Sequence, residues 1–391
     1  MHIRFLKQKF YLFVTLERAM GIRHNLWMTA TALALLPGLG FGANINEVSE
    51  RVETLEGSVE LLEEANAELR KDLDDRLRVS GYVDVEYIIQ KDKDNTFRMH
   101  HMSLFFQKKI SDKWKFFSEI EYEDTPKFSA SGAKDADGNY VLDSGGEGKI
   151  FVEAVNLDYN FLPQAIFRFG RFFTPAGIWS VDHYPPFVST QERPGHIRNI
   201  FPQLVDGAMV YGTLNLGGHY LNYDFYYVNG EGNTGKKDKN ADKAMGLKAS
   251  AILNVPMFSH LEVGGTGYFD PEDSKNGDQE KTALGVHAKL KYTDFILQTE
   301  AAFAQFSGDT SDKATRSGYY AQFIWEPAMW SLGVRHDNYY DRSNSDAKVT
   351  NSVFANYRFN TNLVVKVEHH IIDNAGTDDN KTVFSVVSYL E

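Results

Sequence analysis

No cysteine occurs among the 391 residues. That absence excludes disulfide frameworks, thiol nucleophiles and thiolate metal sites together. Beyond residue 43 there is also no apolar run of the roughly twenty residues that a membrane-crossing helix needs. Catalytic signatures are as scarce: neither His-Glu-x-x-His nor Gly-x-Ser-x-Gly is present. Gly230-Glu-Gly-Asn-Thr-Gly235-Lys236 begins like a phosphate-binding loop, but Lys237 stands where magnesium would need Ser or Thr. His369 and His370 point to opposite faces of a strand, so they cannot chelate one ion. No enzyme, cofactor or metal is therefore expected. The net charge of -12 argues against nucleic acid as a partner.

What is present is aromatic and glycine-rich: 14% aromatic residues, 20 of them Tyr, and 31 Gly, with a mean hydropathy of -0.38. A barrel can carry so hydrophilic an average, because its lipid-facing residues alternate with polar ones. Three segments follow one another. Residues 1–43 read as a signal peptide, with Arg23 and His24 ahead of apolar Leu26–Leu36, a break at Pro37 and small residues up to Ala43. Met20, just before this pattern, is an alternative start.

Residues 44–77 carry heptads: Ile45, Val52, Val59, Asn66 and Leu73 at a, with Val48, Leu55, Leu62 and Leu69 at d. They predict a short periplasmic α-helical coiled coil, or a single amphipathic helix lying on another surface. β-Branched a with Leu d favours two strands, whereas an attached barrel would impose three.

From residue 78 to 391 the period is two. Leu77, Val79, Gly81, Val83, Val85, Tyr87 and Ile89 alternate with Arg78, Ser80, Asp84, Glu86 and Gln90. About sixteen such segments start near Val79, Phe97, Trp114, Lys149, Ala165, Val205, His219, Lys243, Leu261, Lys281, Asp294, Arg316, Met329, Val349, Asn362 and Lys381. Tight turns such as 291–294 and 360–362 alternate with long polar loops at 124–148, 229–242, 270–280 and 340–348. The fold class is all-β: a sixteen-stranded antiparallel transmembrane barrel, with short turns on one side and long loops on the other. Tyr226, Tyr227, Tyr319, Tyr320, Trp325, Trp330, Tyr339 and Tyr340 are expected in interfacial girdles.

The face that does not meet lipid is charged. Its basic candidates are Arg98, Lys115, Arg168, Lys248, Lys289, Lys291, Arg335, Arg358 and Lys366. Acidic candidates are Glu119, Glu121, Asp158, Asp224, Glu262, Glu300, Asp337 and Glu368. Each lines a pore or closes a wall ion pair. Residues 175–204 do not alternate, hold five of the 11 prolines, and carry His183, Arg193, His196 and Arg198. A long connection of this kind is expected either to fold inward as a constriction or to pack on a neighbouring subunit.

The stretch Arg168-Phe-Gly-Arg171-Phe-Phe-Thr-Pro175-Ala-Gly177 resembles the phosphate-selective porin O and P family, which has a similar Gly-x-Phe-x-x-Pro segment. The heptads resemble the DcaP-like members of that group. The resemblance implies a homotrimer passing small hydrophilic solutes by passive diffusion, small anions such as dicarboxylates or phosphate first. An anion preference would make Arg168, Arg171, Arg193 and Arg198 the first residues to alter. Its partners would be outer-membrane lipid and lipopolysaccharide, in a bacterial outer membrane. Two features depart from the family: there is no dense arginine ladder, and the chain ends Tyr389-Leu390-Glu391, placing the last aromatic two residues short. A structural outer-membrane anchor, or a barrel hydrolase, remains the alternative.

Overall fold

The alternation that begins at Arg78 becomes a continuous antiparallel wall. In the computed structural model the described residues are 76–124, 128–134, 140–144, 148–231, 238, 240–273, 275, 278–307, 315–341 and 346–390, with Val59 standing apart. The expected signal peptide lies outside them, as does all of the coiled-coil segment except Val59, Arg76 and Leu77.

The chain runs through β1 (Arg78–Gln90), β2 (Thr96–Lys109), β3 (Trp114–Glu123), β4 (Phe128–Lys134), β5 (Tyr140–Ser144), β6 (Lys149–Leu162) and β7 (Ala165–Phe173). After the inserted segment come β8 (Leu204–Leu216), β9 (His219–Val228), β10 (Ala244–Ile252), β11 (His260–Asp273), β12 (Gln279–Tyr292) and β13 (Phe295–Ser307). The last set is β14 (Thr315–Trp325), β15 (Trp330–Asp341), β16 (Asp346–Arg358), β17 (Leu363–Asn374), β18 (Thr377–Asp378) and β19 (Lys381–Leu390). Strands β4 and β5 form a separate hairpin, and β18 is a two-residue extension beside β17. The other sixteen pair neighbour to neighbour, and β1 with β19 closes the ring, from Gly81 opposite Leu390 to Gln90 opposite Lys381. Closure leaves no unpaired edge, the condition for a sheet that crosses hydrocarbon.

Each barrel strand begins within three residues of its expected start. The loops differ more. The 124–148 stretch contains the β4–β5 hairpin, and β11, β12, β15 and β16 continue into segments expected to be loop. Pairing extends there because cross-strand partners persist, as in Asp341 opposite Asp346.

The two faces separate as the period requires. On β12, Leu284 and Val286 are 60% and 64% exposed, whereas Lys281, Ala283 and His287 are buried. Outward aromatics meet near the short turns: Trp114 with Tyr159 and Trp330 with Tyr357 at 4.8 Å, and Phe295 with Phe323 at 5.7 Å. Tyr87 and Phe97 meet at 4.5 Å near the opposite ends of their strands. Tyr226 and Tyr320, expected in a girdle, are instead wholly buried on the inner face. Tyr389 has the inward parity of Val387 and meets Phe187 at 5.5 Å, and Leu390 is the last outward residue of β19.

Val286 lies near the middle of β12 on the lipid-facing side. Val286→Arg is expected to destabilise the folded barrel in lipid vesicles by about 2–4 kcal/mol. Denaturant titration followed by tryptophan emission measures it, and an effect under about 0.5 kcal/mol would contradict the outward assignment.

Candidate functional site

Residues 174–203 leave β7 and cross the inside of the barrel. Two glycines make the entry possible. Gly170 has φ +122, and a Cβ there would strike the Val155 carbonyl. Gly177 has φ +54, and a Cβ there would run into the Glu300 carboxylate. Both belong to the stretch that carries the family resemblance, so its glycines have a steric reason.

The segment lacks regular strands, so its backbone must find partners elsewhere. The wall supplies them. Lys248 Nζ donates to Gly177 O at 2.5 Å, and Trp179 N donates to Glu300 Oε1 at 2.9 Å. Lys366 Nζ donates to the carbonyls of Pro185 and Val188 at 2.6 and 2.8 Å, and Arg358 donates to Pro186 O at 2.8 Å. Asn356 donates to Ser189 O at 2.8 Å. Gln191 N donates to Glu368 at 2.7 Å and Gly195 N to Asp337 at 3.1 Å. Arg335 bonds Thr190 Oγ1 at 2.5 Å and Asp337 at 3.2 Å, with its guanidinium 5.8 Å from the Trp179 ring. Among the described residues, hydrogen bonds tie the segment to eleven of the sixteen wall strands. Apolar packing adds to them: Ala176, Ile200 and Phe201 join Phe172, Val205, Met209, Tyr226 and Tyr268 in one buried cluster.

The twelve cationic and histidine candidates therefore divide by role. Arg335, Arg358 and Lys366 hold the inserted segment. Arg98 is paired with Asp124 and lies 4.0 Å from Glu86. Arg168 grips Asp158 through two bonds of 2.7 and 2.8 Å and stacks on Tyr211, which makes it a wall ion pair. Arg171 departs from the expectation: it has the parity of exposed Phe167 and Phe169, and it pairs with Asp206 at 2.7 Å on the outward face. The odd spacing of three between Arg168 and Arg171 puts them on opposite faces, as a period of two dictates. Lys115 is exposed near the short β2–β3 turn, in register with Asp158. Lys289 shares the inward parity of His287 and lies opposite Glu262.

His183 and His196 are buried, each 3% exposed. Burial, with Arg193 and Arg198 nearby, pushes His183 well below its ordinary value; burial and Arg335 push His196 down to about 4. Both are thus neutral at neutral pH. Glu192 goes the other way: although burial opposes its ionisation, Lys381 and Lys348 hold it at about 2. Arg193 and Arg198 make no ion pair with any described carboxylate, and burial beside Arg193 pushes Arg198 down to about 10. These two arginines, with Glu192, Tyr339, Lys348 and Asn374, line a cleft of 420 Å³ beside the inserted segment.

Sequence reasoning placed Glu119 and Glu121 on the inner face but missed Glu153 and His100, which join them and their neighbours there. Glu119, Glu121 and Glu153 come together on β3 and β6, and Asp84, His100 and His101 on β1 and β2. Bulges do this. Glu153 is an unpaired extra residue between Val152 and Ala154 opposite β3, and His100 is one opposite β1. A bulge turns the next side chain back to the same face, which no alternation pattern announces.

No family model matches the chain. An uncharacterized protein of Aquifex aeolicus (strain VF5) is 32% identical over 306 residues, covering 67% of this chain; the match spans 65% of that relative's length. Among solved structures, the loop L8 deletion mutant of OmpT, an outer membrane protein of Vibrio cholerae, covers 80% of this chain and 99% of its own with a TM-score of 0.54 at 13% identity. The anion-selective porin from Comamonas acidovorans gives 0.54 at 11%, covering 80% and 99%. The outer membrane channel DcaP of Acinetobacter baumannii gives 0.52 at 13%, covering 80% and 96%. At these identities the likeness is one of fold: this chain has the architecture of outer-membrane porins.

Acid should undock the inserted segment. The undocked form takes up a proton on His196 as pH falls from about 6.5 to about 4, so docking weakens through that window. Glu192 contributes docking stability that is present above pH 4.5 and lost as pH falls towards about 2. Emission from buried Trp179, with Trp179→Phe as blank, is expected to shift in two stages, and Glu192→Gln removes the lower one. Unchanged emission down to pH 2 would refute the account.

Proposed function

We propose that the chain forms a passive outer-membrane channel for small hydrophilic anions, dicarboxylates first and phosphate-sized ions second, assembled as a homotrimer. The observation that carries this reading is the state of Arg193 and Arg198. Most basic side chains of the inner wall are spent on carboxylates or on carbonyls of the inserted segment. These two are without an ion pair and line the cleft beside that segment, with Lys348 on the same surface.

Solutes would be screened there twice. The inserted segment sets the width. The guanidiniums attract an anion and replace part of its hydration with fixed, planar donors suited to carboxylate and phosphate oxygens. Two barrels of the same fold are described as an anion-selective porin and an outer membrane channel, which agrees with this reading in architecture. A trimeric OmpT of Vibrio cholerae, at TM-score 0.51, supports the trimer in the same sense.

A second reading has its own support. Asp84, Glu119, Asp337 and Glu368 are 0% exposed behind the inserted segment, as in a barrel sealed at rest and used as an anchor. One experiment separates the two. Purified protein in a planar bilayer across a potassium chloride gradient is expected to give steady conductance with a reversal potential favouring chloride. Arg193→Glu with Arg198→Glu should lower the chloride-to-potassium permeability ratio about threefold or more. Arg168→Gln, which breaks only a wall pair, should change it less than about 1.5-fold. Cation preference in the unaltered protein would discard the anion assignment. Absence of conductance from a folded, heat-modifiable barrel would favour the anchor.

A further inference from the structure

Three buried polar atoms near one another have no hydrogen-bond partner: Glu121 Oε1, Glu153 Oε2 and His183 Nε2. They arise from three elements, β3, β6 and the inserted segment. Glu119, Glu121 and Glu153 each offer an oxygen, and these lie within 4.8 Å of one another. Ligands on opposite sides of one cation stand about 4.0–5.2 Å apart, given bonds of about 2.0–2.6 Å. His183 Nε2 lies 3.8 Å from Glu153 Oε2, too far for a hydrogen bond.

The imidazole is the independent pointer. It comes from outside the acidic cluster, and His183 is only 3% exposed. The imidazole also bonds the Ser180 backbone, while Nε2 has no partner, so Nε2 is the nitrogen free to bind. The unpartnered Nε2 thus faces an unpartnered carboxylate oxygen. Two such donors are satisfied together by a cation placed between them.

The surrounding hydrogen bonds orient the set as a metal's outer partners do. Tyr82 OH donates to Glu121 Oε2 at 2.5 Å, leaving Oε1 open. Gln203 Nε2 donates to Glu153 Oε1 at 3.2 Å, leaving Oε2 open. Ser103 Oγ and Tyr184 OH donate to the two oxygens of Glu119 at 2.7 and 3.1 Å, and each oxygen keeps a second lone pair. Arg193 and Arg198 are within electrostatic reach of Glu153 and offset part of the negative charge, but neither donates to these carboxylates.

We propose that Glu119, Glu121, Glu153 and His183 form a divalent-cation site that fastens the inserted segment to the β3–β6 wall. Three carboxylates with one imidazole suit a borderline ion such as Mn²⁺ or Zn²⁺ over an all-oxygen ion such as Ca²⁺. The site is structural: closed off from the lumen, it sets the position of the segment.

The test uses the full-length folded barrel, stripped with chelator and titrated with Mn²⁺ alone by calorimetry, with the electron paramagnetic resonance signal of unbound Mn²⁺ as second readout. One saturable site per chain is expected. Glu153→Gln and His183→Gln should each weaken it about tenfold or more. Glu153→Gln retains its shape, and heat-modifiable migration shows that each variant is folded. Protease resistance of residues 174–203 should rise with Mn²⁺ in the unaltered protein and not in the variants. Absence of saturable binding overturns the proposal, as does binding of equal strength in both variants. Neither result bears on conductance, so the site and the channel reading stand or fall separately.

Discussion

The structure depends on the seam between β1 and β19. Ten residue pairs join these strands, and through them every wall strand has a neighbour on both sides. An open sheet in hydrocarbon would leave two rows of amide and carbonyl groups without water or partners, at several kcal/mol for each group. Closure removes that cost, and it obliges alternate side chains to face opposite media. Hence the hydrophilic average, the outward apolar band and the charged inner face are consequences of one constraint.

The inner face must in turn be solvated. Water would do this in an empty cylinder, but here residues 174–203 do part of it through their hydrogen bonds to the inner wall. Lys366, Arg358, Arg335, Asp337, Glu368 and Glu300 meet the carbonyls and amides of that segment, so charges on the wall and orphaned backbone groups satisfy each other. A buried charge paired this way is worth little net stability but is costly to break. The arrangement therefore serves position more than strength, and it leaves few cations over. Arg193 and Arg198 stand out because so many of their counterparts are already committed.

How much of this was legible depended on the range of the interaction. The strand starts could be read closely because alternation is local and is imposed residue by residue by the pleat. The β4–β5 hairpin was not, since its residues carry no lipid-facing alternation and look like polar loop. Position near strand ends puts Tyr226 and Tyr320 in girdles, whereas their inward parity follows from register. Arg171 was grouped with Arg168 because both lie in one conspicuous stretch, and the odd spacing between them put them on opposite faces.

The sequence by itself determined that the chain alternates for some three hundred residues, turns tightly on one side, carries long polar loops on the other and breaks the pattern with a proline-rich stretch at 175–204. Those facts suffice for a barrel, because pleat and closure act on neighbours. Only the tertiary structure decided what the interruption does. Lys366 reaches carbonyls 178 and 181 positions away, and Arg335 a hydroxyl 145 away. The bulges at Glu153 and His100 add to this by turning side chains inward against the pattern. Contacts across that much chain are set by which wall faces which once the ring has closed, and no local period carries that information.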